Sequence, residues 1–300
     1  MQSHFYRGDK PNFGDELNPW MWPQLLDGVW DTEDNSIFVG IGSIIHNRYP
    51  SEKTKIVFGA GYGGYAPLPT IDPSWKFYFV RGKLTAKALG IDEKYAIGDS
   101  AILLRSLINH KVTKRYKVSF MPHWQSTHEG NWELACKYGS INYLDPTAPV
   151  EETIEQILAS ELVITEAMHG AIVSDALRVP WIPLQPQSDI HSMKWYDWAS
   201  ALEINLKPYP FVTSSLLESI TLFFDDINKD IAQKLRRRGK ALLKVCPEVF
   251  AQRAAKNLIE ISWNTPTLSS DSAIESAHEK MLAKLSDLVV DLGRGKVTLK

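Results

Sequence analysis

The sequence predicts an α/β protein made of two Rossmann-like domains that face each other across a cleft, followed by a helical segment. Three observations support this prediction. Short apolar runs alternate with helical patterns in both halves of the chain, a polar and basic stretch follows Leu107, and only helical patterns follow residue 214. We therefore expect domains over residues 1–109 and 110–225, and a helical segment over residues 226–300.

The first half contains four short apolar runs that are typical of buried parallel strands. These runs span residues 36–40, 55–59, 76–80 and 94–98. Helical spacing predicts helices over residues 16–26 and 83–89. Asn12 and Asp15 precede or open the first of these helices, where such residues cap the helix or bind sugar hydroxyls.

The second half repeats the alternation and ends in its most informative stretch. Strands are predicted over residues 116–121 and 140–144, and helices over residues 132–137 and 150–160. A strand–helix–strand unit then follows, with strands over residues 162–164 and 179–184 and a helical run over residues 171–177. His169 comes after the first of these strands, where open α/β sheets bind ligands and where the following helix dipole favours anions.

The last segment is predicted to be helical throughout. Apolar spacing predicts one helix over residues 230–262, with Arg236–Arg238 on one face, and an amphipathic helix over residues 274–292. The sequence leaves open whether the last helix packs on its own chain or forms a homo-oligomer. It also leaves open whether Arg236–Arg238 face solvent or anionic lipid headgroups at the inner face of a membrane.

Composition excludes several classes of protein. The 33 basic and 35 acidic side chains nearly cancel, which argues against nucleic-acid binding. Cys136 and Cys246 lie far apart and lack metal-ligand spacing, so we expect neither a disulfide framework nor a metal site, and a reducing cytoplasm fits. No apolar run approaches the roughly 20 residues of a membrane span, so no integral membrane segment is predicted.

A glycine-rich string, Gly59–Gly64, matches GxGxxG, the fingerprint of dinucleotide-binding loops. Pro67, Pro69 and Pro73 follow it, where the fingerprint requires a helix. We therefore interpret the string as a loop at a strand end, not as a site for NAD.

Several further residues are candidates for binding an anion. Arg81 ends an apolar strand just before a helix, where a guanidinium suits a phosphate or a carboxylate. His123 occupies the matching place in the second half, and Lys194 opens an aromatic-rich helix. Gly42 and Ser43 belong to a loop that either brings backbone N–H groups to an anion or a sugar, or only lets the chain turn.

As a set, these motifs resemble the polysaccharide pyruvyl transferase family, in particular its exopolysaccharide ketal-forming branch. The segments that carry the resemblance are Asn12–Asn18, Gly40–Ile44, Val80–Gly90, Gly98–Leu104, Pro122–His123, Met168–Pro180 and Lys194–Trp198. The resemblance implies a GT-B-like fold. It also implies transfer of the enolpyruvyl group of phosphoenolpyruvate (PEP) onto a sugar as a cyclic ketal, with PEP as co-substrate and without a metal.

By this resemblance, His169 matches the general acid/base of the family, and Arg81 and Lys194 match positions that hold the donor's phosphate and carboxylate. Several family members have arginine two residues before this histidine, whereas this chain has Ala167. The missing cation is then expected from Arg81, His123 or Arg178.

The chemistry of PEP fits these residues. Its methylene carbon must be protonated to make C2 electrophilic, and histidine is the side chain that exchanges protons near neutral pH. We expect His169 to supply this proton and a carboxylate, Asp15 or Asp99, to assist the sugar hydroxyl. The acceptor sugar, and whether it is lipid-linked, stay open.

Two other functions fit the sequence as well. A GT-B glycosyltransferase that uses a nucleotide sugar would share the paired Rossmann domains and the cleft. A non-catalytic carbohydrate-binding protein would explain the ten tryptophans and the absent arginine. Binding of UDP or GDP would indicate the first alternative, and sugar binding without phosphate release from PEP would indicate the second.

Overall fold

The computed structural model describes residues 1–8, 10–185 and 189–299, leaving out the side chains of residues 189–191 and 226. The elements of the first half are β1 (Gln2–His4), α1 (Phe13–Leu25), β2 (Leu26–Asp27), β3 (Ser36–Val39), β4 (Thr54–Phe58), β5 (Trp75–Phe79) and α2 (Lys83–Leu89). Short 3-10 helices follow at Glu93–Tyr95 and Ser100–Ser106. Four of the strands form a parallel sheet in the order β1-β3-β4-β5.

The second half forms a separate parallel sheet. Its elements are β6 (Ser119–Met121), α3 (Ser126–Glu129), α4 (Trp132–Gly139), β7 (Asn142–Tyr143), α5 (Val150–Leu158), β8 (Val163–Thr165), α6 (Met168–Ala176), β9 (Trp181–Pro183) and α7 (Asp189–Ala201). The strand order is β7-β6-β8-β9, and the central strands β6 and β8 are entirely buried. Burial on both faces explains why these strands are short continuous apolar runs without alternation.

The C-terminal elements pack on both halves of the chain. They are α8 (Leu216–Ile227), α9 (Lys229–Arg238), a 3-10 helix (Gly239–Lys244), α10 (Pro247–Ser262), α11 (Asp271–Leu292) and β10 (Lys296–Val297). Helix α10 packs on α4 of the second half, whereas α11 packs on β5 and on the 3-10 helix Ser100–Ser106 of the first half. Strand β10 pairs with β2, and Tyr78 donates a hydrogen bond of 2.6 Å to Asp291 of α11. None of the described helices is both long enough and apolar enough to cross a membrane.

The α/β class with parallel sheets is confirmed, and most predicted elements lie within a few residues of their observed positions. The strand predicted over residues 94–98 is wrong, because the Asp92 carboxylate accepts the Lys94 N–H and turns the chain into a 3-10 helix. The single helix predicted over residues 230–262 is also wrong. It is broken after Arg238 and begins again at Pro247, since Cys246 adopts a left-handed conformation with φ 46°. The two-domain GT-B arrangement and its boundaries stay predictions.

Candidate active site

His169 is the second residue of α6, four residues after Thr165, the last residue of β8. Its side chain is 13% exposed. The imidazole lies directly on Gly14, in the first turn of α1: a Cβ at position 14 would stand 2.0 Å from Nδ1 of the ring. Glycine at this position therefore allows α1 to approach the histidine, and it brings the N-termini of α1 and α6 together.

The other ring nitrogen of His169 faces Asp99. Nε2 lies 3.7 Å from Oδ2 of Asp99, and the carboxylate is completely buried. Within the described part of the chain, neither of these two buried atoms has a hydrogen-bond partner. The second oxygen of Asp99, Oδ1, accepts the N–H of Ala101 and caps the 3-10 helix that follows. The pair is thus too far apart for a hydrogen bond and close enough for one to form with a small movement.

The segment that carries Asp99 is supported by the C-terminal helix. Gly98 has φ +147°, a backbone conformation that residues other than glycine rarely adopt. A Cβ there would also lie 2.8 Å from Cε of Met281, in the middle of α11. Contact between α11 and this glycine therefore helps to set the position of the Asp99 carboxylate.

Asp15 lies on α1, one residue after Gly14. The side-chain amide of Asn12 donates a hydrogen bond of 2.7 Å to Oδ2 of Asp15. Asn12 is the N-cap residue of α1, but its side chain accepts no hydrogen bond from the backbone of the helix. Burial raises the pKa of Asp15, while the nearby charges of His169 and Lys194 and the Asn12 hydrogen bond oppose this shift.

Lys194 of α7 reaches the same place. Burial, together with the charge of Arg81, lowers the pKa of Lys194 to about 8, although the charges of Asp15 and Glu166 oppose this shift. The charges that act on the lysine are therefore one cation and two carboxyl groups, which come from three different parts of the chain. An ammonium with a lowered pKa in a partly closed site is suited to an anionic ligand.

Arg81 is fully buried and belongs to a closed polar cluster. Its Nε donates to Asp197 at 2.9 Å, its Nη1 to the hydroxyl of Ser43 at 2.6 Å, and its Nη2 to the carbonyl of Tyr62 at 3.2 Å. The other oxygen of Asp197 accepts the N–H of Thr85 at 2.8 Å. The guanidinium thus joins the glycine-rich loops to α7. It is buried, and its positive charge acts on Lys194.

The two glycine-rich loops lie side by side. Gly61 donates its N–H to the carbonyl of Gly42 at 2.9 Å, and Gly42 has φ +125°. A Cβ at position 61 would overlap the guanidinium of Arg81 at 2.2 Å. Tyr65, in the second loop, lies within electrostatic reach of both Arg81 and Asp15. These glycines therefore let the backbone pack against the arginine, in line with the loop interpretation.

Glu166 is an acid that the sequence analysis did not single out. It follows β8 directly, and its carboxylate accepts the backbone N–H of His123 at 2.9 Å and the hydroxyl of Ser126 at 2.8 Å. Burial raises the pKa of Glu166 to about 7, against the effect of these two hydrogen bonds. His123 thus lies beside the site as predicted, held there through its backbone.

A cavity of 410 Å³ opens next to these groups. It is lined by the loop between β1 and α1, including Tyr6, Arg7 and Lys10, and by Asn12 and Asp15 at the start of α1. Tyr6 is exposed, and the guanidinium of Arg7 lies 4.7 Å from the ring centre of Phe5. Asp15 therefore contacts both the cavity and the surroundings of His169.

The structure brings most of the predicted residues into one site. His169 lies 3.7 Å from Asp99, and the charges of His169 and Lys194 both act on Asp15. The charge of Arg81 acts on Lys194, and its guanidinium is bonded to Ser43, next to Gly42. Asn12 is bonded to Asp15, and the N–H of His123 to Glu166. Arg178 lies elsewhere, at the far end of α6, where it contacts Asp271 and Ser269. The sequence analysis did not assign a role to Gly14, Asp197 or Glu166. Gly14 and Asp197 lie within segments that carry the family resemblance, and Glu166 is an acid directly after a buried strand.

Comparison with known proteins agrees with this arrangement. The model of the family described as polysaccharide pyruvyl transferase matches residues 3–188, more than half of the chain. The chain belongs to the polysaccharide pyruvyl transferase family. It is also 33% identical over 312 residues to the succinoglycan biosynthesis protein ExoV of Rhizobium meliloti (strain 1021), an alignment that covers 96% of this chain and 98% of that protein. The resemblance found in the motifs is thereby confirmed, and the chain is assigned to a family of transferases.

Proposed function

We propose that this protein transfers the enolpyruvyl group of PEP onto a sugar of a bacterial exopolysaccharide and forms a cyclic pyruvate ketal. The observation that carries the proposal is the pair of His169 and Asp99, buried and unbonded to each other, next to Lys194 and Asp15. Family membership, and the similarity to ExoV, a succinoglycan biosynthesis protein, support the polysaccharide acceptor.

The roles of the two ring nitrogens follow from their surroundings. Asp99 faces Nε2 and is completely buried, so it suits orienting the ring and stabilising the imidazolium, not contacting the sugar. Nδ1 lies on the side of Gly14 and Asp15. In the proposed reaction, His169 gives a proton from Nδ1 to the methylene carbon of PEP, which makes C2 electrophilic.

Asp15 is the carboxylate placed to act on the acceptor, since it lines the 410 Å³ cavity. One sugar hydroxyl adds to C2 and passes its proton to Asp15. A second hydroxyl then forms the other C–O bond at C2, and the C–O bond to phosphate breaks. The second hydroxyl proton returns to His169, and Asp15 passes the first one to the released phosphate. Both side chains are thereby restored, and no oxidation or reduction takes place.

Lys194 supplies the charge that holds the donor. This chain has Ala167 at the helix N-cap where relatives have arginine, and Lys194 and Arg81 lie close enough to influence each other's charge. The N-terminal dipole of α6 adds to their attraction for the phosphate and carboxylate of PEP. We propose that no metal takes part in the reaction. We also propose that the protein has a GT-B-like pair of domains and acts in the cytoplasm.

The test is incubation of the purified chain with PEP and a panel of bacterial repeat-unit saccharides, followed by mass spectrometry and a phosphate assay. Pyruvylated sugar and stoichiometric phosphate are expected. His169→Gln should lower the rate roughly 10²- to 10⁴-fold, whereas His110→Gln, which removes an exposed histidine paired with Glu155, should not. Product formation by folded His169→Gln at the normal rate would refute the proposal, and tight UDP or GDP binding without PEP turnover would favour a glycosyltransferase.

A further inference from the structure

Helix α8 has a buried face and a second, apolar face that the described part of the chain covers only in part. Leu217 and Thr221 are fully buried. A second apolar stripe runs along the helix at spacings of four, three and four residues, and it consists of Leu216, Ile220, Phe223 and Ile227. Its exposure increases toward the end of the helix, where Phe223 is 62% and Ile227 is 64% exposed. Exposed apolar side chains grouped in this way mark a surface that binds something.

Basic side chains follow directly after this stripe. Residues 228–246 contain seven Lys or Arg residues and a single acidic residue. On α9, Ala232 is buried and defines the inner face. The opposite face carries Ile231, Lys234 and Arg238, which are separated by three and four residues and are all exposed.

Arg236 lies on the inner side of α9 and fixes its orientation. Its Nη1 donates to Asp225 of α8 at 2.9 Å, and its Nε donates to Glu129 of α3 at 2.7 Å. The interpretation of Arg236–Arg238 as one uniform face is therefore replaced by two roles: Arg236 joins α9 to α8 and α3, while Arg237 and Arg238 remain exposed.

We propose that the α8–α9 surface, consisting of Phe223, Ile227, Ile231, Lys234 and Arg238, docks on an anionic lipid bilayer. Apolar side chains flanked by cations are the composition of helices that lie in the membrane interface. The apolar side chains enter the acyl boundary while the long basic side chains extend to the headgroups. A second copy of the chain is the less suitable occupant, because it would bring the same positive charges together.

Docking does not depend on the proposed reaction, because none of the five side chains of this surface belongs to the candidate active site or lines the cavity at Asp15. If the proposed function holds, docking brings the chain to saccharides that are displayed at the membrane surface.

Flotation of the full chain with vesicles of phosphatidylcholine, with and without phosphatidylglycerol, tests the proposal. The wild-type chain should float only with the anionic vesicles, and added salt should weaken its binding. Phe223→Ser/Ile227→Ser should weaken partitioning on the order of tenfold. Lys234→Glu/Arg238→Glu should weaken partitioning by roughly fivefold for each positive charge that is removed. The two new negative charges should weaken it further, because the anionic headgroups repel them. Trp263→Ser, which removes a tryptophan that is 77% exposed outside this surface, should bind like the wild type.

All variants are first compared by circular dichroism and by turnover of a soluble saccharide with PEP, which should be unchanged because the substituted side chains lie outside the active site. Failure of that turnover in the wild type would reject the proposed reaction and leave the docking result valid. Docking is refuted if the wild-type chain remains in the aqueous fraction in the presence of anionic vesicles. It is also refuted if both double variants float with the vesicles to the same extent as the wild type. Self-association in sedimentation velocity that Phe223→Ser/Ile227→Ser abolishes, without vesicle binding, would assign the surface to a second copy.

Discussion

Two pairs of a basic side chain and a buried aspartate contribute to the candidate site, and they differ in how completely they are hydrogen-bonded. Arg81 and Asp197 meet at 2.9 Å and have further partners in Ser43 and in the backbone, so the pair is saturated. His169 and Asp99 stand 3.7 Å apart, and the two facing atoms have no partner among the described residues.

The difference separates a structural pair from a reactive one. A saturated buried pair stabilises one geometry, since loss of either partner leaves an unpaired charge in the interior. An unbonded pair lowers stability, because desolvated atoms are left without hydrogen bonds. It also leaves the ring nitrogen and the carboxylate oxygen free to form a hydrogen bond with each other during the proposed reaction. The following predictions test this contrast, beginning with the largest expected effect.

Asp99→Asn should lower the turnover of PEP about 10²- to 10⁴-fold, with little change in stability. The amide keeps the acceptor for the Ala101 N–H but cannot stabilise a charged imidazole. Initial rates and urea unfolding measured on the same preparation check both parts. A variant with normal turnover would show that Asp99 has no part in the reaction.

Asp197→Ala should lower the free energy of unfolding by about 3–5 kcal/mol, because the Arg81 guanidinium would be left buried and unpaired. Urea unfolding monitored by tryptophan fluorescence measures the change. Asp287→Ala is the matched control: it breaks an exposed pair with Lys284 and should change stability by no more than about 1 kcal/mol. Equal effects of the two substitutions would mean that the buried pair is not structural.

Glu166→Gln should remove part of the pH dependence of stability. The folded state raises the pKa of Glu166 from 4.5 to about 7, so between these values it binds the proton more tightly than the unfolded state does. The free energy of unfolding therefore falls as the pH rises through this window, by about 3 kcal/mol in total. Unfolding at pH 5, 6, 7 and 8 should show a shallower decrease in the variant; parallel curves would show that Glu166 is already ionised in the folded protein.

Gly14→Ala should cost about 1–3 kcal/mol of stability or push the His169 ring aside, because the new methyl group overlaps it. A displaced ring no longer keeps its position relative to Asp99, so turnover should fall as well. Gly139→Ala, also within a helix, meets only the flexible end of Ile141 and serves as the control. An active and stable Gly14→Ala would mean that the ring has more room than its contact with α1 suggests.

The sequence predicts the elements that depend on local patterns and misses the contacts between distant residues. The unit over residues 162–184 is visible because its strands and helix differ in apolar period, and it places His169 correctly. Asp197 is not visible as a partner of Arg81, since 116 residues separate them and neither residue indicates the other. Glu166 could have been found by the same rule that selected Arg81, because both follow a buried strand.

The sequence also misses β1, whose residues Gln2, Ser3 and His4 are polar although they pair with β3 in the first sheet. Pairing with a buried neighbour overrides their low strand propensity. Conversely, the apolar run at residues 94–98 suggested a strand, and a local turn at Asp92 prevented it. In both cases the backbone's hydrogen-bond partners decide, and apolar patterning alone does not reveal them.

The contact of Met281 with Gly98 has a consequence for anyone who shortens this protein. The region matched by the family model ends at residue 188, which invites expression of that region as a minimal enzyme. Such a fragment would lack α11, the helix that supports the loop before Asp99, as well as Lys194. The smallest active unit should therefore extend through residue 292. Its C-terminal boundary depends on the packing of α11 against the loop before Asp99, and sequence motifs alone do not reveal it.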